Sequence, residues 1–213
     1  MARRTKEDAL ATRSALLDAA ERVFLQRGVS RTSLADIAQA AGVTRGALYW
    51  HFKDKAALFN AMLDRVALPM NAELQDLLAR AGDPLAPWCA HVRDMLHQIE
   101  HDARTRHVLQ IAMQKVEYAE ELGPVIDRHI EMYRLNNDWM RQVLERAAVA
   151  RGRPLPTAAT QLAHGFHATV HGLIYSWLLD RSFGLEATGQ VVIEAYLRGI
   201  GLALDAPPPA PVP

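Results

Sequence analysis

Apolar positions recur along this chain at three- and four-residue intervals, and no stretch keeps the two-residue alternation of a half-buried strand. Short breaks near Gly28, Gly42, His51 to Asp54, Gly82 to Pro84, Gly123, Gly152 and Gly184 separate the periodic stretches. The pattern predicts an all-α protein of about nine helices. The first spans 7–27, with Leu16, Ala20, Val23 and Phe24 in one stripe and Gly28 closing it. Two short helices follow at 34–41 and 45–51, then a long one from Lys55 to Arg80 that contains Pro69. Asp83 before Pro84 reads as an N-cap followed by a first-turn proline. Five further helices fall near 84–101, 104–118, 124–150, 157–180 and 186–204. The Pro-rich tail 206–213 cannot be helical and is expected to be disordered.

From Pro154 to Leu179 there is no Asp, Glu, Lys or Arg. That run is long enough to span a bilayer, but His164, His167, His171, Gln161, Thr160, Thr169 and two prolines interrupt its apolar character. It reads instead as a helix covered on most sides within a soluble protein or dimer. The N-terminal stretch has no apolar run of signal-peptide length, because Arg13, Asp18, Glu21 and Arg22 break it.

Charge changes the picture only when it is located. The 213 residues carry 24 Lys and Arg against 24 Asp and Glu, which excludes a uniformly basic coat. Residues 1–65 hold 11 basic and 7 acidic side chains, so the positive excess lies at the N-terminal end, where an anionic partner is expected. The lone Cys89 excludes an intrachain disulfide and fits a reducing, cytoplasmic setting.

The most informative segment is Thr32 to Phe52. Ser33 can N-cap a short helix, with Asp36 at a capping-box position. Ile37 and Ala41 face inward, Ala38 is small enough for two helices to cross, and Gly42 supplies a left-handed turn residue. Thr44 caps a second short helix, and Val43 and Leu48 close the small core. This is the layout of a helix-turn-helix, whose second helix enters a DNA major groove. Arg45 is placed to read guanine, Thr44 a base edge or phosphate, and Tyr49 a thymine methyl or phosphate. Gly46 and Ala47 leave room for close approach. Lys55 at the start of the next helix, and Thr32 and Ser33 at the start of the first, suit phosphate. The plain alternative is a three-helix packing unit, and Trp50 and Phe52 are read as core on either account.

The stretch from Ala41-Gly42-Val43-Thr44-Arg45-Gly46-Ala47-Leu48-Tyr49-Trp50 through His51-Phe52-Lys53-Asp54-Lys55 resembles the N-terminal domain of TetR-family transcriptional repressors. Arg3-Arg4-Thr5-Lys6-Glu7 and Ala103-Arg104-Thr105-Arg106 are similar to one subgroup, the AcrR/TtgR-like regulators of multidrug efflux pumps. The close match covers about residues 3–65 and is patchy beyond them. The resemblance implies DNA contact by Thr32, Thr44, Arg45, Gly46, Tyr49, His51 and Lys55, to which capping geometry adds Ser33. It also implies a homodimer that reads a palindromic operator and is released by a hydrophobic small molecule. The domain organisation expected is a helix-turn-helix domain at 1–55 and a ligand-binding and dimerisation domain at 56–205, followed by the 206–213 tail.

In the helix 157–180, Leu162, Phe166, Leu173 and Trp177 form a large apolar face. Gln161, Gly165, Ala168, Gly172 and Ser176 form a small-residue face, and Thr160, His164, His167, His171, Ile174 and Leu178 a third. A helix with no charge on any face wants more than one partner surface, which a dimer through the last two helices supplies. Val191, Val192, Ala195, Ile200 and Leu204 mark the second of these helices. The histidine face has three readings: satisfied core or interface groups, pocket lining, or metal ligands. The last would need help from His91, His97, His101 or Cys89, because three histidines on one straight helix span too far for one ion.

The candidate ligand pocket is lined by Trp88, His91, Val92, Met95, Leu109, Met113, Asn136, Met140, His167, Val170, His171 and Ile174; ordinary core is the competing reading. No nucleophile motif, phosphate loop or paired-carboxylate arrangement marks an enzyme, no cofactor is indicated, and no residue is assigned to catalysis or to a metal. Variants of the reading are a metal- or pH-sensing regulator and an activator. The long helix from Lys55 to Arg80 is the expected mechanical link between DNA and ligand, with Pro69 a candidate kink.

Overall fold

The computed structural model describes residues 2–116 and 122–204, with side chains from Lys6 onward. The expectation of disorder over 206–213 lies outside the described residues. Among those described, nine helices and no strand are present: α1 (Ala2–Arg27), α2 (Leu34–Ala40), α3 (Arg45–His51), α4 (Lys55–Ala79), α5 (Leu85–His101), α6 (Ala103–Gln114), α7 (Gly123–Ala150), α8 (Ala159–Leu179) and α9 (Leu185–Gly199).

The helix ends follow local chemistry. Pro84, expected inside the first turn after an Asp83 cap, is itself the N-cap residue of α5, and Asp83 one residue earlier accepts the N–H of Leu85 at 2.9 Å. Asp54 caps α4 through the N–H of Ala57 at 2.7 Å. Two helices are shorter than their apolar periodicity suggests. Helix α6 stops at Gln114, and the carbonyl of Lys115 turns to accept the N–H of Val29 at 3.0 Å. Helix α9 stops at Gly199 because Gly201, at φ +81, closes it with the paired bonds Leu202 N–H to Leu197 and Gly201 N–H to Arg198. Ile200 and Leu204, read as part of that helix, lie beyond its end.

The chain divides into two compact units, Met1–Leu68 with Ala103–His129, and Pro69–Asp102 with Ile130–Pro213. The first is built on α1. Leu16, Leu17, Ala20 and Phe24 are fully buried, and Phe24 meets the ring of Phe59 on α4 at 6.1 Å. Burying each large apolar side chain contributes about 1.5–3 kcal/mol. Asp18 of α1 binds Arg65 of α4 at 2.7 Å and Arg104 of α6 at 3.2 Å, and Glu21 meets His107 of α6 at 2.9 Å. These ties draw α6 into the unit that carries the two short helices.

In the second unit, α5 presents Leu85, Trp88, Val92, Leu96 and Ile99 to a stripe of Leu185, Gly189, Ile193 and Leu197 on α9. Trp88 stands edge-on to Phe166 of α8 at 4.6 Å, and the Tyr196 hydroxyl donates to the carbonyl of Leu162 at 2.6 Å, joining α9 to α8. Arg146 of α7 donates to the carbonyls of Leu78, Arg80 and Gly82, satisfying the end of α4. No helix among the described residues is long and apolar enough to cross a membrane.

Candidate nucleic-acid interface

The helix-turn-helix is assembled by its own caps. The hydroxyl of Ser33 accepts from the N–H of Asp36 at 3.2 Å, and the Asp36 carboxylate accepts from the Ser33 N–H at 2.9 Å, completing the capping box. The Ser33 hydroxyl and N–H hold the Asp36 carboxyl below its usual range, with smaller help from Arg27 and Arg45. At the turn, Gly42 sits at φ +69, donates to Gln39, and is followed by the bond from Val43 N–H to Ala38. This paired closure needs a left-handed residue, which an L side chain adopts at a cost. Thr44 then caps α3 by accepting from Ala47 N–H at 3.1 Å. Ile37, Ala38 and Leu48 are buried as expected, whereas Ala41 and Val43 are only half-covered.

On this frame α3 turns Leu48 inward and leaves Thr44, Arg45, Gly46, Tyr49 and Trp50 exposed. Trp50, expected in the core, is 74% exposed and touches the edge of the His51 ring at 4.6 Å. The reason is angular: Leu48 and Phe52 occupy the inner face of the short helix, and Trp50 falls on the outer side with Gly46. Phe52 is buried, as read, with the Arg13 guanidinium over its ring at 5.2 Å.

Thr32, Ser33, Arg45, Tyr49 and Lys55 come together around one open groove of about 640 Å³, which Arg31 and Lys53 also line. Thr44, Gly46 and His51 do not line that groove. Two residues expected to meet phosphate are otherwise engaged. Thr32 is buried, and its hydroxyl donates to the Gly28 carbonyl at 2.7 Å. The Lys55 ammonium, half-buried, donates to the carbonyls of Val29, Ser30 and Thr32 at 3.1, 3.2 and 3.0 Å. These side chains fix the loop that leads into α2, and Lys55 offers the groove its charge rather than its donors. Desolvation, and then the Arg13 guanidinium, push the pKa of His51 below its ordinary value. Arg31 and Lys53, both exposed, are cations that the sequence reading passed over although they flank its motif.

Of the candidate pocket residues, ten lie in the second unit, while Leu109 and Met113 lie on α6 in the first. Trp88, Val92, Met140, Val170 and Ile174 are buried. His91 is mostly covered, 3.7 Å from Glu73, and burial pushes its pKa down despite that carboxylate. His171, expected as a pocket wall, is exposed, as is His164 on the same histidine face. Tyr133 stands edge-on to His167 at 4.9 Å. The residue beside Asn136 was overlooked. Asn137 is buried, donates to the Tyr133 carbonyl at 2.7 Å, and leaves its amide oxygen buried without a partner. Its place among Trp139, Met140 and Val143 on α7 gave no sequence signal beyond one amide in an apolar stripe.

Comparison with known proteins places this geometry. Residues 16–62 match the family described as bacterial regulatory proteins, tetR family, and residues 83–201 match the MAATS-type transcriptional repressor C-terminal region. The HTH-type transcriptional regulator TtgR of Pseudomonas putida is 40% identical over 186 residues, covering 84% of this chain and 86% of TtgR. The crystal structure of NalD, the secondary repressor of the MexAB-OprM multidrug efflux pump in Pseudomonas aeruginosa, is similar with a TM-score of 0.83 and 36% identity. That match covers 94% of this chain and all of NalD. A complex of SmeT with triclosan aligns at a TM-score of 0.81 and 29% identity, over 95% of this chain and 99% of SmeT. SmeT is the repressor of the Stenotrophomonas maltophilia efflux pump SmeDEF.

Proposed function

Because this chain belongs to the TetR family of bacterial regulatory proteins, we propose that it is a ligand-responsive repressor of a multidrug efflux operon. The observation that carries the reading is the α2–α3 pair. It is fully capped, its short second helix presents Arg45, Tyr49 and Trp50 to solvent, and cations line the groove beside it. Arg45 reads base edges, while Arg31 and Lys53 meet phosphates. Residues 1–55 are the DNA-binding region and 56–205 the effector and dimerisation region. The activity is binding rather than catalysis, and the protein works in the cytoplasm, where its operator is.

A homodimer through α8 and α9 is supported by what those helices leave uncovered. Ala168, Gly172, Tyr175, Ser176 and Leu179 of α8, and Val191 and Ala195 of α9, are exposed in the single chain. Two-fold pairing sets the recognition helices about 34 Å apart, or a multiple of it, on a palindromic operator. The effector is a hydrophobic molecule. Buried Trp88, Val92, Met140 and Ile174 supply apolar surface in the second unit. Similarity to repressors of multidrug efflux pumps and to SmeT in complex with triclosan supports both the regulated operon and the effector class. Release follows from a difference in effector affinity between DNA-competent and released states.

The test is fluorescence anisotropy with DNA from directly upstream of the protein's own gene, at about 150 mM salt because affinity is salt-dependent. Tight binding that a scrambled duplex does not match, and that triclosan or a similar hydrophobic phenol reverses, is expected. Equal binding to both duplexes would reject specific repression.

A further inference from the structure

Among the described residues, one cluster of metal-ligating side chains stands apart from the groove beside α3. His97 and His101 are four residues apart on α5, so they share one face, and Glu186 reaches them from the first turn of α9. One ligating atom from each of the three lies within 4.8 Å of the others. The two imidazole rings are stacked with centroids 4.2 Å apart, and the Glu186 carboxylate lies 2.7 Å from Nδ1 of His97. We propose that His97, His101 and Glu186 form a binding site for a divalent transition-metal ion of zinc's class, bridging α5 and α9.

Three physical features carry this assignment. First, the donor set is right: two imidazoles and one carboxylate suit zinc and its neighbours, and leave one position for water. Second, the ring of His101 is pre-oriented. Its Nδ1 is 2.9 Å from the carbonyl of His97, and a carbonyl can only accept, so Nδ1 carries the proton. In the neutral ring Nε2 then holds the lone pair that a metal needs. Third, the scaffold beneath is rigid. At Gly189, one turn after Glu186, an added Cβ would sit 2.3 Å from Cδ1 of Leu96, the residue before His97. Any side chain there would have to push Leu96 aside, so glycine suits the close approach of α9 to α5. Glu100, on the same face of α5 as the two histidines, accepts the main-chain N–H of Glu186 at 2.9 Å and holds the first turn of α9 in place.

Tetrahedral coordination at about 2.0–2.1 Å places donor atoms about 3.3 Å apart. Side-chain rotation supplies that closure, because both histidines are exposed and Glu186 is partly so. The bound ion replaces the single contact between His97 and Glu186 and cross-links the two helices. It thus couples metal availability to the rigidity of α9. This site is separate from the histidines of α8, none of which takes part.

The experiment is calorimetric titration of chelator-stripped full-length protein with zinc chloride at about pH 7.5, buffered because metal affinity depends on pH, with parallel thermal melts. One ion per chain and a raised melting temperature are expected. His101→Ala and Glu186→Gln should each weaken binding about tenfold or more, while a His164→Ala/His171→Ala double variant binds as the parent does. Metal-free melts of all variants report folding separately. Absence of zinc binding, or binding that survives His101→Ala and Glu186→Gln unchanged, would overturn the site. Loss in the α8 double variant alone would do the same.

Discussion

The Lys55 ammonium lies 3.0 Å from the carbonyl of Thr32, 23 residues earlier in the chain, and it holds the carbonyls of Val29 and Ser30 as well. A lysine at a helix start beside a DNA-binding motif invites a phosphate role, yet this one organises the loop in front of α2. Replacing it by methionine leaves carbonyls of a half-buried loop without their donor. Lys55→Met is expected to destabilise the protein by about 1–3 kcal/mol, seen as a lower melting temperature without DNA. A pure phosphate ligand would leave the melt unchanged and reduce the salt slope of binding by about one.

Arg45 should behave oppositely. It is exposed and makes no core contact, so Arg45→Ala should leave the melting curve within about 0.5 kcal/mol of the parent. Operator affinity should fall by about 1–3 kcal/mol, with discrimination between base pairs relaxed at the position it reads. Competition anisotropy with single-substitution operators checks both parts.

Trp50 offers an optical probe of the same surface. At 74% exposure its indole emits as a solvated ring. Operator addition should quench the emission that Trp50→Phe removes, with no such change on a scrambled duplex.

Gly189→Ala tests the contact between α5 and α9. The new methyl must displace Leu96, which is fully buried. A loss of about 1–3 kcal/mol is expected from overpacking, measured by urea unfolding.

Cys89 is half-buried, and burial pushes its thiol up to about 11. The unfolded thiol ionises near 9, so stability contributed by keeping it neutral is present below that and is lost as pH rises from 9 toward 11. At about pH 8 a disulfide reagent should label native protein slowly and unfolded protein fast, because the thiolate is the nucleophile.

The exposed small-residue face of α8 yields a prediction about assembly. No atom lies near where a Cβ on Gly172 would sit. Gly172→Arg should therefore fold normally yet sediment as a monomer, whereas the parent is expected to sediment as a dimer.

Much of this protein is determined by short-range sequence. The capping box of Ser33 and Asp36, the left-handed Gly42 and the Thr44 cap act over three or four residues. They were therefore legible without a structure, and so was the inward turn of Ile37 and Leu48. The helix count follows from apolar periodicity for the same reason. What the sequence left undecided are facts about which distant residues meet. Trp50 looked like core because its type is usually buried, but a seven-residue helix has only one inner face, and Leu48 takes it. The engagement of Lys55 and the recruitment of α6 by Asp18, Glu21 and Val29 depend on partners many residues away. The orphaned oxygen of Asn137, and the meeting of His97 and His101 with Glu186, 89 residues beyond the first of them, are likewise set by packing. Periodicity says which side of a helix is apolar, and only tertiary packing says what faces it.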